Sequence, residues 1–123
     1  MEKITKKWLE FAQQDLKDAE ILFENKRYSG CIYHCHQAVE KLLKATLTEK
    51  GERIPKTHDL LDLLKQSQIK YTKEILEFVQ ELNPYYNPIR YPDTPKVLIK
   101  FPRQKALKIL KLTKEISKWL LYQ

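Results

Sequence analysis

Glycine and cysteine are scarce in this chain, with two residues of each among 123. Gly30 and Gly51 are too far apart to build a glycine-rich phosphate-binding loop, which excludes the nucleotide-binding folds that depend on one. Cys31 and Cys35 lie one helical turn apart and have no other cysteine to pair with, so we expect two buried free thiols. Neither thiol has a setting that would activate it as a nucleophile.

Metal-binding patterns are also weak. Cys31, His34 and Cys35 are close in sequence, but on a helix both thiols point toward the core while His34 points away. One helix therefore cannot present all three side chains to the same ion. The sequence predicts no metal site and no cofactor.

Long apolar runs are absent from the sequence. No stretch approaches the roughly 20 apolar residues that a membrane-spanning helix requires. The N-terminal sequence MEKITKKWLE lacks the apolar stretch of a signal peptide. We therefore expect a cytoplasmic protein with no membrane association.

Basic residues outnumber acidic ones. The chain has 23 Lys and Arg residues against 16 Asp and Glu, which gives a net charge of +7 at pH 7. This excess favours an anionic partner, such as a nucleotide, RNA or an acidic protein. Because the lysines are spread along the polar faces of predicted helices, the charge alone identifies none of these partners.

A helical period dominates the chain, and no stretch shows the alternation of a strand. Apolar residues recur at spacings of three and four, which predicts five amphipathic helices at residues 5–24, 28–50, 58–66, 72–82 and 103–122. Thr5 and Thr57 are placed to cap the first and third of these helices. The sequence therefore predicts a single all-α domain spanning residues 1–123.

The first two predicted helices are joined by a short connection at Asn25–Arg27, which makes them antiparallel neighbours. Asp15 lies beside the apolar stripe of the first helix, so we expect it to be partly buried. A Lys or Tyr on a neighbouring helix would then have to pair with this carboxylate to offset the cost of burial.

The segment at residues 83–102, before the last helix, carries five of the chain's six prolines together with several tyrosines. Proline at this density cannot lie inside a regular helix, which predicts an extended or turn-rich loop. A loop of this length in a compact domain is more often functional or disordered than incidental, and the aromatic residues argue against plain disorder.

The segment from Tyr28 to Lys50 has the strongest helical period and organises the chain. Its apolar residues form one broad side, with His36 and Glu40 at the boundary and Gln37 and Lys44 on the opposite, polar side. His36 and Glu40 are one turn apart, as are Glu40 and Lys44, so each pair can form a hydrogen bond. We expect a polar ligand to bind along this boundary.

The proline-rich loop can close over the same boundary. Arg90 offers the best phosphate-binding guanidinium in the chain, and the loop tyrosines can stack on a base. We therefore predict a nucleotide-binding site formed by His36, Gln37, Glu40, Lys44, Arg90 and Tyr91.

Four pieces of the sequence together resemble a HEPN domain, along nearly the whole chain. They are Ala12, Asp15-Leu16 and Ala19 in the first helix, HQAVEKLLKA at 36–45, KTHDLLDLL at 56–64, and IRYPD at 89–93. The resemblance implies an up-and-down bundle of about five helices that forms a homodimer. It also implies a small protein partner of the minimal nucleotidyltransferase type, and the chain is similar to the helical substrate domain of aminoglycoside nucleotidyltransferases.

Many HEPN proteins are metal-independent ribonucleases with an Arg, four to six residues, and then a His at the start of a late helix. This chain has no His after Arg90, whereas Arg53 to His58 and Arg27 to His34 have the spacing but lie elsewhere in the bundle. The resemblance therefore predicts a non-catalytic, nucleotide-associated module. Two alternatives stay open: an RNA-cleaving toxin of a toxin–antitoxin pair, which would use Arg53 and His58 or a composite site across the dimer, and a structural dimerisation adaptor.

Overall fold

The computed structural model describes residues 2–86 and 101–121. Within these ranges the chain forms five α-helices and no strand, with α1 at Lys3–Glu24, α2 at Tyr28–Glu49, α3 at Leu60–Ser67, α4 at Lys73–Leu82 and α5 at Arg103–Leu121. No helix in this part of the chain is long and apolar enough to cross a membrane. The predicted all-α fold is confirmed.

α1 and α2 form an antiparallel hairpin around the turn at Asn25–Arg27. Lys26 takes the left-handed backbone conformation in this turn, with a φ of 61°. At the far end of the hairpin, the backbone N–H of Glu2 donates to Oε2 of Glu49 at 3.3 Å. The two helices therefore lie side by side over their full length, as the short connection predicted.

α2 is the central helix, because α1, α3 and α5 all pack against it. The core around it is aliphatic, and its largest fully buried side chains are Ile32, Val39, Leu43, Leu47, Leu60, Leu63, Leu64, Val79, Leu82 and Ile109. Cys31 and Cys35 are free and fully buried within this core, which confirms the expected buried thiols.

The predicted caps of α1 and α3 are wrong. Thr5 lies inside α1 with its side chain buried, because the helix begins one turn earlier, where the Lys6 N–H donates to the carbonyl of Glu2. α3 is capped by Asp59, whose Oδ1 accepts hydrogen bonds from the next two free backbone N–H groups at 3.0 and 3.2 Å. Thr57 instead accepts a bond from the N–H of Asp59, which shapes the turn before the helix.

The start of the predicted proline-rich loop forms a short 3₁₀ helix at Asn83–Tyr86. The Oδ1 atom of Asn83 accepts a hydrogen bond from the N–H of Leu60 at 2.7 Å, which fixes this segment against the first turn of α3. The rest of the loop prediction, at residues 87–100, lies outside the described residues.

Asp15 is buried between α1 and α2. Its Oδ1 atom is 2.9 Å from Nδ1 of His34, and its Oδ2 atom accepts a hydrogen bond from Nζ of Lys41. Burial alone would raise the pKa of Asp15, but the hydrogen bonds from His34 and Lys41 outweigh it and hold the pKa below its ordinary value. The predicted pairing with a lysine of a neighbouring helix is confirmed.

We expect Asp15→Ala to destabilise the fold at neutral pH. In this variant the Lys41 ammonium still lies beside the apolar contact between the helices, but it has lost the carboxylate that pairs with it. Removing one partner of a fully buried pair costs roughly 3–5 kcal/mol. Because Lys41 is partly exposed, we expect a smaller loss of roughly 2–3 kcal/mol in urea unfolding. The control is Glu77→Ala in the exposed pair with Lys73, which should cost less than about 1 kcal/mol. Equal losses in the two variants would contradict the structural role of Asp15.

Candidate functional site

Three polar residues of α2, spaced one helical turn apart, are buried by neighbouring parts of the chain. His36, Glu40 and Lys44 expose 0%, 3% and 7% of their surface. The prediction that Lys44 lies on the solvent side of α2 is wrong. The reason is that Trp8 of α1 and His58 of the loop before α3 cover this face of the helix.

Glu40 is the centre of this buried group. Its Oε2 accepts a hydrogen bond from Nζ of Lys44 at 3.0 Å, and its Oε1 accepts one from Nδ1 of His58 at 2.8 Å. The ammonium group of Lys44 also lies 5.6 Å from the ring centre of Trp8. A carboxylate oxygen accepts this bond, so Nδ1 of His58 is the donor, and Nε2 lies on the opposite edge of an imidazole whose side chain is 58% exposed.

Tyr86, the last residue of the 3₁₀ helix, contacts both histidines with its ring. Its ring stacks on His58, with the ring centres 5.4 Å apart and the planes 15° from parallel. The same ring lies tilted against His36 at 5.9 Å. The orientation of His58 is therefore fixed by a carboxylate on its edge and an aromatic ring on its face.

His36 is fully buried and neutral at physiological pH. Burial lowers its pKa from 6.5 to about 4, against the opposing charge of Glu40, and the nearby His58 lowers it further. Nδ1 lies 3.4 Å from Nε2 of Gln37, and hydrogen bonds to the backbone of His58 and Asn83 oppose part of the fall in the pKa of His36. His36 therefore fills space behind His58 and Tyr86 as an uncharged ring.

An open depression lies in front of this buried group. It has a volume of about 560 Å³ and runs between residues 56–59 and the segment from Gln80 to Tyr86. Volumes of about 300–1,000 Å³ are typical of small-molecule sites. His58 and Tyr86 form part of its wall, so they separate the depression from the Glu40 carboxylate.

The structure brings together four of the residues predicted from the sequence. His36, Gln37, Glu40 and Lys44 are adjacent, whereas Arg90 and Tyr91 lie outside the described residues. His58 was considered only for the Arg53–His58 spacing and Tyr86 only as one of the loop tyrosines, so neither was named as a member of the predicted site. The signal for His58 was its place directly before the Asp59 cap, which sets it at the start of α3 and beside α2.

Within residues 2–86 and 101–121 there is one candidate metal cluster, and it contains Asp15. Ligand atoms of Asp15, Asp18 and His34 lie within 4.8 Å of one another. However, Asp15 already accepts hydrogen bonds from His34 and the Lys41 ammonium. A positive charge is therefore already in place at Asp15, which is engaged by His34 and Lys41, whereas Asp18 is exposed at the edge of this network.

The protein is a small all-α bundle. Its central helix carries a buried polar network of a histidine, a glutamate and a lysine. The family model described as HEPN domain matches residues 5–123. The chain belongs to the HEPN domain family.

Two solved structures have the same fold over essentially the full length of the chain. TT1696 from Thermus thermophilus is 26% identical over 96% of each chain, with a TM-score of 0.83. ST0689, an archaeal HEPN homologue, is 22% identical over 100% of this chain and 98% of its own, with a TM-score of 0.78. No curated protein matches the chain.

We expect His36 to make the fold less stable as pH falls from about 6.5 to about 4, because the unfolded chain binds a proton there that the folded chain resists. In His36→Leu this contribution disappears. Between pH 6.5 and pH 5, wild type should lose about 2 kcal/mol more than the variant in urea unfolding. Parallel pH profiles for the two proteins would show that His36 is not held neutral.

Proposed function

We propose that this protein is a non-catalytic, nucleotide-associated HEPN module that dimerises and acts with a minimal nucleotidyltransferase partner. One observation carries the nucleotide part of the proposal: an exposed aromatic ring, a fixed imidazole and a lysine border the same open depression. These residues are Tyr86, His58 and Lys56.

Each of these groups suits a different part of a nucleotide. Tyr86 is 42% exposed and can extend its stack with His58 to a base, which aromatic rings bind with little sequence preference. Lys56 is exposed at the opposite rim and provides a positive charge for phosphate. The amide of Gln80, also at the rim, can bond to the edge of a base.

In this proposal the predicted residues of α2 act from behind the site. His36, Gln37, Glu40 and Lys44 hold the imidazole and tyrosine rings in place, and the depression binds the ligand. Arg90 and Tyr91, which follow Tyr86 shortly in sequence, provide the phosphate contact and a second ring.

The dimer and the protein partner rest on the family. HEPN domains often dimerise, and the resemblance described above includes helical domains that work beside small nucleotidyltransferases. The net charge of +7 agrees with a partner or ligand of opposite charge. The absence of any histidine after Arg90 in the sequence favours a role without catalysis.

We expect isothermal titration calorimetry to detect binding of ATP or GTP that persists at moderate salt. Tyr86→Ala should weaken it about tenfold, because stacking on an aromatic ring contributes about 1–3 kcal/mol per base. Arg90→Ala should weaken it by a similar factor through loss of a charge-assisted contact. The matched control is Tyr71→Ala, which removes an exposed tyrosine away from the depression.

Other results of the same titration would contradict the proposal. Binding of single-stranded RNA alone, lost as salt increases, would mean that the positive charge acts diffusely. No binding of any of these ligands by a well-folded protein would favour the structural adaptor.

The pair of Glu40 and His58 also favours the ribonuclease alternative, because a buried carboxylate that orients an imidazole is a common arrangement for acid–base catalysis. If the protein cleaves RNA, His58→Ala should abolish the activity, whereas His34→Ala on the Asp15 pair should retain it. We expect purified wild-type protein to leave RNA intact. Cleavage that depends on His58 would replace the non-catalytic proposal.

A further inference from the structure

The outer face of α1 exposes apolar residues that the rest of the described chain leaves uncovered. Ile4, Phe11 and Ile21 are 51%, 47% and 48% exposed. They are three of the six large apolar side chains exposed in residues 2–86 and 101–121. Their concentration on one helix suggests a contact surface rather than scattered surface residues.

These residues belong to a regular seam. Successive residues of this seam are three and four positions apart in alternation along α1. This is the heptad spacing of a helix that packs against another helix. The seam consists of Ile4, Lys7, Phe11, Gln14, Asp18 and Ile21, and all six side chains are exposed.

The order of residues along this seam is self-complementary. When two copies of α1 pack antiparallel about the middle of the seam, Ile4 lies opposite Ile21 of the second copy. Likewise Lys7 lies opposite Asp18, and Phe11 lies opposite Gln14. A two-fold axis generates each pair twice, so the apolar pairs lie at both ends and the charge pairs lie between them and the centre.

The charged positions are available for such pairing. Neither Lys7 nor Asp18 forms an ion pair within the described ranges of the chain, and both are exposed, although a carboxylate oxygen of Asp18 lies within 4.8 Å of ligand atoms of Asp15 and His34. Phe11 is held in place from its own subunit, because its ring makes an edge contact with Trp8 at 6.4 Å and lies 5.9 Å from Nζ of Lys41. The seam is thus a preformed surface with opposite charges at symmetric positions.

We infer that α1 is a two-fold interface with α1 of a second copy of this chain, in the register that pairs Lys7 with Asp18. This inference rests on the dimerisation in the proposed function and names the surface that forms it. A different partner would not require mirror order about the centre of α1, whereas a second copy in antiparallel orientation does.

The test is a charge exchange measured by sedimentation equilibrium. Lys7→Glu places two acidic residues opposite each other at both positions of the Lys7–Asp18 pair, and Asp18→Lys places two lysines opposite each other there. We expect each single variant to raise the dimer Kd at least about tenfold. An equimolar mixture of the two variants should form a heterodimer with a Kd close to that of wild type, because both pairs are then Glu opposite Lys or Lys opposite Asp.

Two further variants control for charge and folding. Lys111→Glu makes the same charge change on the exposed side of α5 and should leave the dimer unchanged. Ile21→Glu places a charge against Ile4 of the second copy and should also raise the Kd, without any change in the charge pairs. Helical circular dichroism of each variant verifies that its fold is intact.

The outcomes separate the surface from the proposed function. A wild-type protein that is monomeric at all concentrations would overturn both the dimer and this interface. A wild-type dimer that Lys7→Glu and Ile21→Glu leave intact, or single variants that fail to combine, would overturn this interface while the dimer stands. Nucleotide binding is measured separately and is not affected by either result.

Discussion

The pairing of the Glu40 carboxylate determines how the centre of this bundle is built. An unpaired carboxylate in an apolar interior is costly, so its burial requires donors on both oxygens. Lys44 supplies one donor from the next turn of α2, and His58 supplies the other from the loop before α3. The connection between α2 and α3 therefore folds back over α2, and this path brings Tyr86 against the same imidazole.

The Asp15 pair performs the corresponding task between α1 and α2. Each buried carboxylate in the described residues receives one lysine and one histidine, and each lysine comes from α2. α2 is thus fixed to α1 through Asp15 and to the loop before α3 through Glu40. The aliphatic core gives most of the stability of such a bundle, and we expect these pairs to favour the one register in which both carboxylates find their donors.

The helices and the burial of Asp15 could be predicted because both depend on the period of a single helix. The site could be predicted only in part. The helical wheel of α2 assigned Lys44 to the solvent, and nothing in that wheel shows that Trp8 of another helix covers it. Thr57 was a reasonable cap by residue type, but Asp59 lies closer to the free N–H groups of α3. The burial of Lys44 depends on a neighbour that is distant in sequence. The identity of the cap depends on the exact residue at which α3 begins.

The two ion-pair networks differ in how readily they can respond to a ligand. Both donors to Asp15 are on α2, so that network is fixed by one regular helix. By contrast, His58 belongs to a loop and exposes more than half of its side chain. Its bond to Glu40 is therefore the contact nearest to solvent in either network. A ligand that formed a hydrogen bond with Nε2 of His58 would act on Glu40 through the opposite nitrogen of the same ring, and Glu40 is bonded to Lys44. Because Lys44 also lies over Trp8, this chain of contacts runs from the depression to α1.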